Sequence, residues 1–284
     1  MVMIKESTPN NIKKTAALLI VFLLCAAFVF PVVLTLFDSF MTVNEVSKFY
    51  FSGNNEQIRL IPEPLSIEQY YILLIEKSDY LALFWNSVKY STVITFLHLL
   101  IALPTAFVFA KIRFKGRDLL FFVILVVMMM PFQVTLLPNF ILAKMFGILY
   151  TDSAIILPGI FAPFGIFLMR QFIKTIPNES IEAVLLESGS VLDVMRISVI
   201  PNSKAGITAV VIMTFAETWN MVEQPLVLLN DQLKYPLSVV LNSLYGSSPD
   251  IAFAGSVIYI APVILLYFFF KESIYDGIKN IRYG

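Results

Sequence analysis

The chain has 284 residues, 58% of them hydrophobic and only 14% charged, with 20 basic side chains against 20 acidic ones and a mean hydropathy of +0.81. A water-soluble domain carries about 25% charged residues, and a balanced charge offers nucleic acid nothing to hold. The one cysteine, Cys25, cannot close an intrachain disulfide, and the one histidine, His98, makes a histidine-based metal site untenable, which leaves a polytopic membrane protein.

A membrane helix needs about 20 apolar residues, because it must satisfy its own backbone across the hydrocarbon. The charge-free stretches predict six spans. Residues 16–37 are the first, between Lys14 and Asp38. They outrun the core of a signal peptide, and no small-x-small cleavage site precedes Asp38, so the expectation is a retained span. Residues 90–110 are the second, and residues 119–143 the third, with Pro131 and Pro138 expected to bend or end it. Residues 153–169 are a short fourth span interrupted by Pro158 and Pro163. The fifth is irregular: residues 205–215 are apolar, then Glu217, Trp219, Asn220, Glu223, Gln224 and Pro225 intervene before residues 226–229 resume. Residues 251–270 are the last, with Pro262 near the middle.

Basic residues favour the cytoplasmic side of a membrane. The N-terminus, the loops after spans two and four and the C-terminal tail hold 14 of the 20, from Lys5, Lys13 and Lys14 to Lys279 and Arg282. Lys48, Arg59, Lys77, Lys89, Lys144 and Lys234 are on the other side. Both termini are therefore expected inside. The acidic loop from Thr42 to Tyr80, with Glu45, Glu56, Glu63, Glu68, Glu76 and Asp79, is expected to form a small external cap.

Several chemistries have no foothold. No Gly-Lys dipeptide occurs, so the chain has no phosphate-binding loop and is not an ATPase. Neither His-Glu-x-x-His nor Gly-x-Ser-x-Gly is present. No self-similarity at 20–50 residues is visible, which weakens an inverted-repeat carrier.

The loop at 175–204 is built as more than a connector. Pro177 and Asn178 supply a helix start, Ile181 and residues 183–186 an apolar stripe, and Gly189 a C-terminal cap. Ser190 and Asp193 form a start signal for a second helix, and Pro201 punctuates before the next span. Leu185, Leu186, Val191 and Leu192 are left exposed, and an apolar surface on a loop needs a cover.

Glu182-Ala183-Val184, with Pro201 nineteen positions after the glutamate, resembles the EAA loop of binding-protein-dependent ABC importer permeases. Residues 109–117 and 130–138, the Trp219-Asn220 and Pro225-Leu226 pairs and the ending from Gly277 to Gly284 resemble the carbohydrate-uptake branch, specifically its maltose-type second permease subunit. The likeness runs from about Asn86 to the end. The chain departs from the pattern in three places: Val184 replaces the second alanine, Glu187 and Ser188 replace an Asp-Gly pair with the glycine displaced to Gly189, and Glu223 and Gln224 stand where the family is less polar.

The resemblance implies an all-α membrane protein with six transmembrane helices, a type I ABC importer permease bundle with cytoplasmic coupling helices. Its organisation would be a cytoplasmic N-terminus (1–15), a first transmembrane helix (16–40), an external loop (41–80), a five-helix permease core (81–272) containing the coupling loop, and a cytoplasmic tail (273–284). It implies alternating access for a sugar or related polar solute in a bacterial cytoplasmic membrane. The chain would be no enzyme and bind no cofactor, ATP and Mg belonging to a partner ATPase. Expected partners are a second homologous permease subunit completing a heterodimer, two ATP-binding subunits, an extracytoplasmic solute-binding protein and membrane lipid, with no nucleic acid. Glu182, Ala183, Leu186, Glu187, Gly189 and Pro201 would meet the ATPase.

Gln133, Glu217, Trp219, Asn220, Glu223 and Gln224 are the candidates for the solute path, with Asn139 beside Gln133. A carboxylate among apolar residues must face water or a partner, so Glu217 and Glu223 read either as walls of a solvated path, with Trp219 stacking on the solute, or as pairing groups toward another subunit. Two other classes stay open on residues alone: an ion-coupled carrier using Glu217 or Glu223, and a non-transporting scaffold of permease fold.

Overall fold

The computed structural model describes residues 9–51, 62, 64–247 and 249–283. The described residues contain helices and no strand, and the chain groups into two units, residues 1–76 with 244–258 and residues 77–243 with 259–284.

In the first unit α1 (Pro9–Asp38) is apolar all round, and Leu18, Phe22 and Phe28 are 68–80% exposed. A helix of that kind without a buried face belongs in lipid. Its end is held by polar groups: Asp38 Oδ2 accepts from the Tyr50 hydroxyl at 2.6 Å. Tyr50 lies on α2 (Val43–Phe51). Thr42 and Glu45 start that helix as a reciprocal capping box, Thr42 N–H donating to Glu45 Oε2 at 2.9 Å and Glu45 N–H to Thr42 Oγ1 at 3.4 Å. From α3 (Glu68–Tyr71) the Gln69 amide donates to the Met41 carbonyl, and Tyr70 Oη lies 2.8 Å from Ser39 Oγ. Tyr50, Gln69 and Tyr70 of the loop expected at 41–80 thus bond back to the end of α1. Its Glu56, Arg59 and Glu63, like Lys5, lie outside the described residues.

The second unit is arranged about α4 (Ser78–Lys111). This helix starts twelve residues before the predicted span, because Lys89, which interrupts the charge-free run, is neutralised by Asp152 at 2.8 Å. Against α4 pack α7 (Asp152–Ile160) and α8 (Pro163–Lys174), with α5 (Arg117–Met128) and α6 (Phe132–Met145) preceding them in the chain. Then come α9 (Asn178–Ser188), α10 (Val191–Asp193), a π-helical stretch (Val194–Val199) and α11 (Ile200–Asn202). The last elements are α12 (Lys204–Trp219), α13 (Glu223–Leu228), α14 (Leu237–Ser247) and α15 (Pro249–Tyr283), of which α14 and α15 each have residues in both units.

Among the described residues, four helices are long and apolar enough to cross a membrane: Lys14–Asp38, Asp79–Lys111, Asp152–Lys174 and Ile251–Ser273. Two bent pairs bring the number to six, α5 with α6 at 102° and Val191–Asn202 with α12 at 80°. The third predicted span, expected to bend or end at Pro131 and Pro138, is sharply folded at the first of them. Pro131 donates no amide hydrogen and disfavours helical geometry at Met130, so the break falls there, while Pro138 stays inside α6. The 80° turn falls at Ser203, two residues after the punctuation expected at Pro201, where the loop at 175–204 enters α12.

His98 is fully buried on α4, and its Nδ1 lies 2.8 Å from the carbonyl of Ile160, the last residue of α7. A carbonyl only accepts, so Nδ1 carries the proton. The ring rests on Gly165 of α8, where an added Cβ would stand 1.9 Å from Nε2. Gly165→Ala should therefore overpack the α4–α8 contact, at a cost of about 1–3 kcal/mol, read as a lower thermal midpoint in detergent. Combined with His98→Ala it should cost less than the two changes summed.

Candidate functional site

Three interruptions of helix meet at one cleft of about 710 Å³: the α5–α6 break around Met130, the α7–α8 break at Phe161 and Ala162, and the α12–α13 break at Asn220 to Val222. Broken helix within apolar segments is tolerated where it lines a watery cavity or is buried in protein, and the walls here suit the first case. Gln133, Asn139, Glu217, Asn220, Glu223 and Gln224 supply polar groups, and Phe132, Phe161 and Phe164 supply ring faces. Gln133 Nε2 donates to Glu223 Oε1 at 3.2 Å, tying α6 to α13. Glu217 and Glu223 are both exposed, and no Lys, Arg or His is among the residues lining the cleft.

Five of the six residues that the sequence offered for a path lie on these walls: Gln133, Glu217, Asn220, Glu223 and Gln224. Trp219 does not. Its ring is fully buried, stacks on Phe215 with centroids 5.6 Å apart, meets Phe84 edge-on at 5.9 Å, and donates from Nε1 to the Tyr259 carbonyl at 3.2 Å. Its surface is spent inside the bundle, which corrects the reading of this ring as a stacking platform for solute. Tyr259 returns the contact, its hydroxyl lying 3.0 Å from the Trp219 carbonyl and 2.9 Å from Asn220 Oδ1. Sequence reasoning missed Thr214 and Thr218, which line the same wall as Glu217. Their i, i+3, i+4 spacing on one helix was the available signal.

The second site is the loop between α8 and α12. α9 starts after Pro177 and ends where Gly189 takes φ +68°, its N–H donating to the Leu185 carbonyl at 2.8 Å. Left-handed backbone at that point is what glycine supplies, so the displaced glycine still closes the helix. Ser190 precedes α10, but its side chain makes no capping bond, contrary to the expected Ser190–Asp193 signal. The helix that follows widens into a π stretch before Pro201, which has no N–H for the carbonyl a turn earlier.

The two faces of this loop differ. Ile181, Val184 and Met195 pack on a core of Phe107, Met169, Ile173, Val194, Val199 and Val210, and Ser180 Oγ meets Ser198 Oγ at 3.0 Å. Glu182, Ala183, Glu187, Gly189 and Pro201 are exposed on the outside, with Leu186 at 89% and Leu192 at 69%.

A helical membrane bundle with its breaks gathered on a polar cleft, and an apolar helix pair held out on a loop, has the makeup of a permease subunit. The chain belongs to the family of binding-protein-dependent transport system inner membrane components, whose pattern matches residues 99–279. It is 30% identical to the arabinooligosaccharides transport system permease protein AraQ of Halalkalibacterium halodurans, over 88% of this chain and 89% of that one. To AraQ of Bacillus subtilis it is 27% identical, over 97% and 98% of the two chains. The fold is that of a chain in the crystal structure of a bacterial ABC transporter involved in the import of the acidic polysaccharide alginate, with a TM-score of 0.80 at 20% identity, covering 94% of this chain and 98% of that one.

This protein is thus a multi-pass bacterial membrane protein, a transport permease and not an enzyme, and ATP hydrolysis belongs to separate subunits of the transporter. The buried position of Trp219 has a measurable consequence. Trp219→Ala should destabilise the solubilised protein by about 3–5 kcal/mol, seen as a fall in thermal midpoint, whereas Glu217→Gln on the cleft wall should leave the midpoint close to wild type.

Proposed function

We propose that this chain is one of two homologous permease subunits of an importer that passes an uncharged saccharide through the cleft by alternating access. Of two ATP-binding subunits, holding ATP and Mg, one would dock on the exposed face of Glu182 to Gly189, and an extracytoplasmic solute-binding protein would deliver the solute. Both termini would lie in the cytoplasm, a reading supported by the distribution of basic residues. The observation that carries the proposal is the cleft, where three helix breaks expose amides, carboxylates and ring faces together.

Its charge narrows the solute. Two carboxylates without a cation on the wall repel an anion in a medium less polarisable than water, while hydroxyl-rich neutral sugars hydrogen-bond to Gln133, Asn139 and Asn220. The names of the AraQ proteins, which speak of arabinooligosaccharides, support the same class. A structural relative that handles an acidic polysaccharide shares the fold at only 20% identity.

Two experiments test this. On gentle purification from native membranes, a second permease and an ATP-binding subunit should accompany the wild-type chain, and Glu182→Lys should lose the ATP-binding subunit. If the chain purifies alone and Glu182→Lys changes nothing, the coupling assignment fails. In proteoliposomes of the complete transporter, the Glu217→Gln/Glu223→Gln variant should raise uptake of a uronic-acid trisaccharide relative to arabinotriose by about tenfold. An unchanged ratio would remove the carboxylates from solute selection.

A further inference from the structure

The carbonyls of a helix's last turn have no donor within the helix. At the loop end of the second unit, α4 and α8 each supply a cation to the carbonyls of the other. Lys111, the last residue of α4, donates from Nζ to the Ile176 carbonyl, to the Lys174 carbonyl at 3.4 Å and to Asn178 Oδ1 at 3.0 Å. That uses all three hydrogens of the ammonium. In the opposite direction, buried Arg170 of α8 donates from Nε to the Phe109 carbonyl of α4 at 3.1 Å, with its guanidinium carbon 3.8 Å from the centre of the Phe121 ring of α5.

The position of this pair matters more than its strength. Lys174 ends α8, Asn178 begins α9, and residues 175–177 between them join α9 back to α8. Core packing holds this joint through Ile176 and α9 through Ile181 and Val184. Apolar packing is non-directional, however, and leaves small rotations of α9 about the joint to be resisted by directed hydrogen bonds. The Lys111 ammonium reaches across it, holding oxygens on both sides. α8 in turn begins at Pro163, on the cleft wall.

We propose that Lys111, with Arg170 as its counterpart, is a positioning residue for energy coupling, a crossed clamp that makes α4, α8 and α9 move as one body. The clamp passes displacement of the coupling loop to the cleft instead of to the joint. This rests on the reading of α9 as the docking helix of the ATPase.

The test uses the whole transporter purified from native membranes, with its binding protein, in proteoliposomes, and counts arabinotriose imported per ATP hydrolysed. Lys111→Met should keep the ATPase attached and hydrolysing, while solute moved per ATP falls at least about fivefold. Lys115→Met, an exposed cation four residues on, should keep the wild-type ratio. Asn178→Ala removes one exposed ligand of the ammonium without touching the core. It should lower the ratio in the wild-type background and add nothing to Lys111→Met. A wild-type ratio in Lys111→Met, equal losses in Lys111→Met and Lys115→Met, or additive losses with Asn178→Ala each overturn the clamp and leave the permease reading standing. Absence of ATP-driven transport by the wild-type complex would overturn that reading, and the clamp with it.

Discussion

Every amide and carbonyl that a helix break releases inside an apolar segment must find a partner within the protein or in water. Most of what is specific about this chain follows from how it meets that demand. At the end of α7 the Ile160 carbonyl is taken by His98. At the ends of α4 and α8 the free carbonyls are taken by Arg170 and Lys111. The breaks between α5 and α6, α7 and α8, and α12 and α13 are gathered on one cleft, where solvent can serve the backbone groups left over and where a hydrogen-bonding solute could replace it. Pro131 and Pro163 adjoin two of these breaks, and the side chains that take the carbonyls elsewhere mark where the bundle is tied.

The loop between α8 and α12 meets a different constraint, that of exposing leucines without collapsing. Its inner residues, Ile181 and Val184, pack on the same core as Met169, Ile173 and Val210 of the membrane helices. The outer leucines stay exposed while Ile181 and Val184 are anchored. Ser180 and Ser198 join the two halves of the loop, so the exposed surface belongs to a single packed piece. That piece is packed against residues of both α8 and α12.

The sequence was informative wherever a local signal sufficed. Charge-free runs placed α1 and α15, because nothing but length and apolarity defines a span in lipid. Pro177, Gly189 and the apolar stripe between them placed α9, because caps are written in neighbouring residues. Residues 133, 217, 220, 223 and 224 stood out because polar groups are costly in apolar segments. What was not legible depended on partners remote in the chain. The extension of α4 beyond Lys89 needs Asp152, 63 residues away. The burial of Trp219 needs Phe84 and Tyr259, and from sequence alone an aromatic beside a polar break looks the same whether its face meets solute or core. The 102° fold at Met130 follows from Pro131 only once the packing of α6 on α7 and α13 is known.

The choice of cation at each end of the clamp follows from the geometry of what it holds. Lys111 must serve three oxygens spread over residues 174, 176 and 178, on two helices and the joint between them. A compact ammonium with three rotatable donors on a flexible stem can turn one hydrogen to each; a planar guanidinium cannot point its fork in three divergent directions. Arg170 has the opposite task. It serves a single carbonyl at Phe109 from within the bundle and lies against the Phe121 ring. There a flat, weakly hydrated cation loses less on burial than an ammonium and gains the attraction of the ring face. Exchanging the two residues would keep every charge and lose both fits, so the clamp depends on the shape of its cations and not only on their sign.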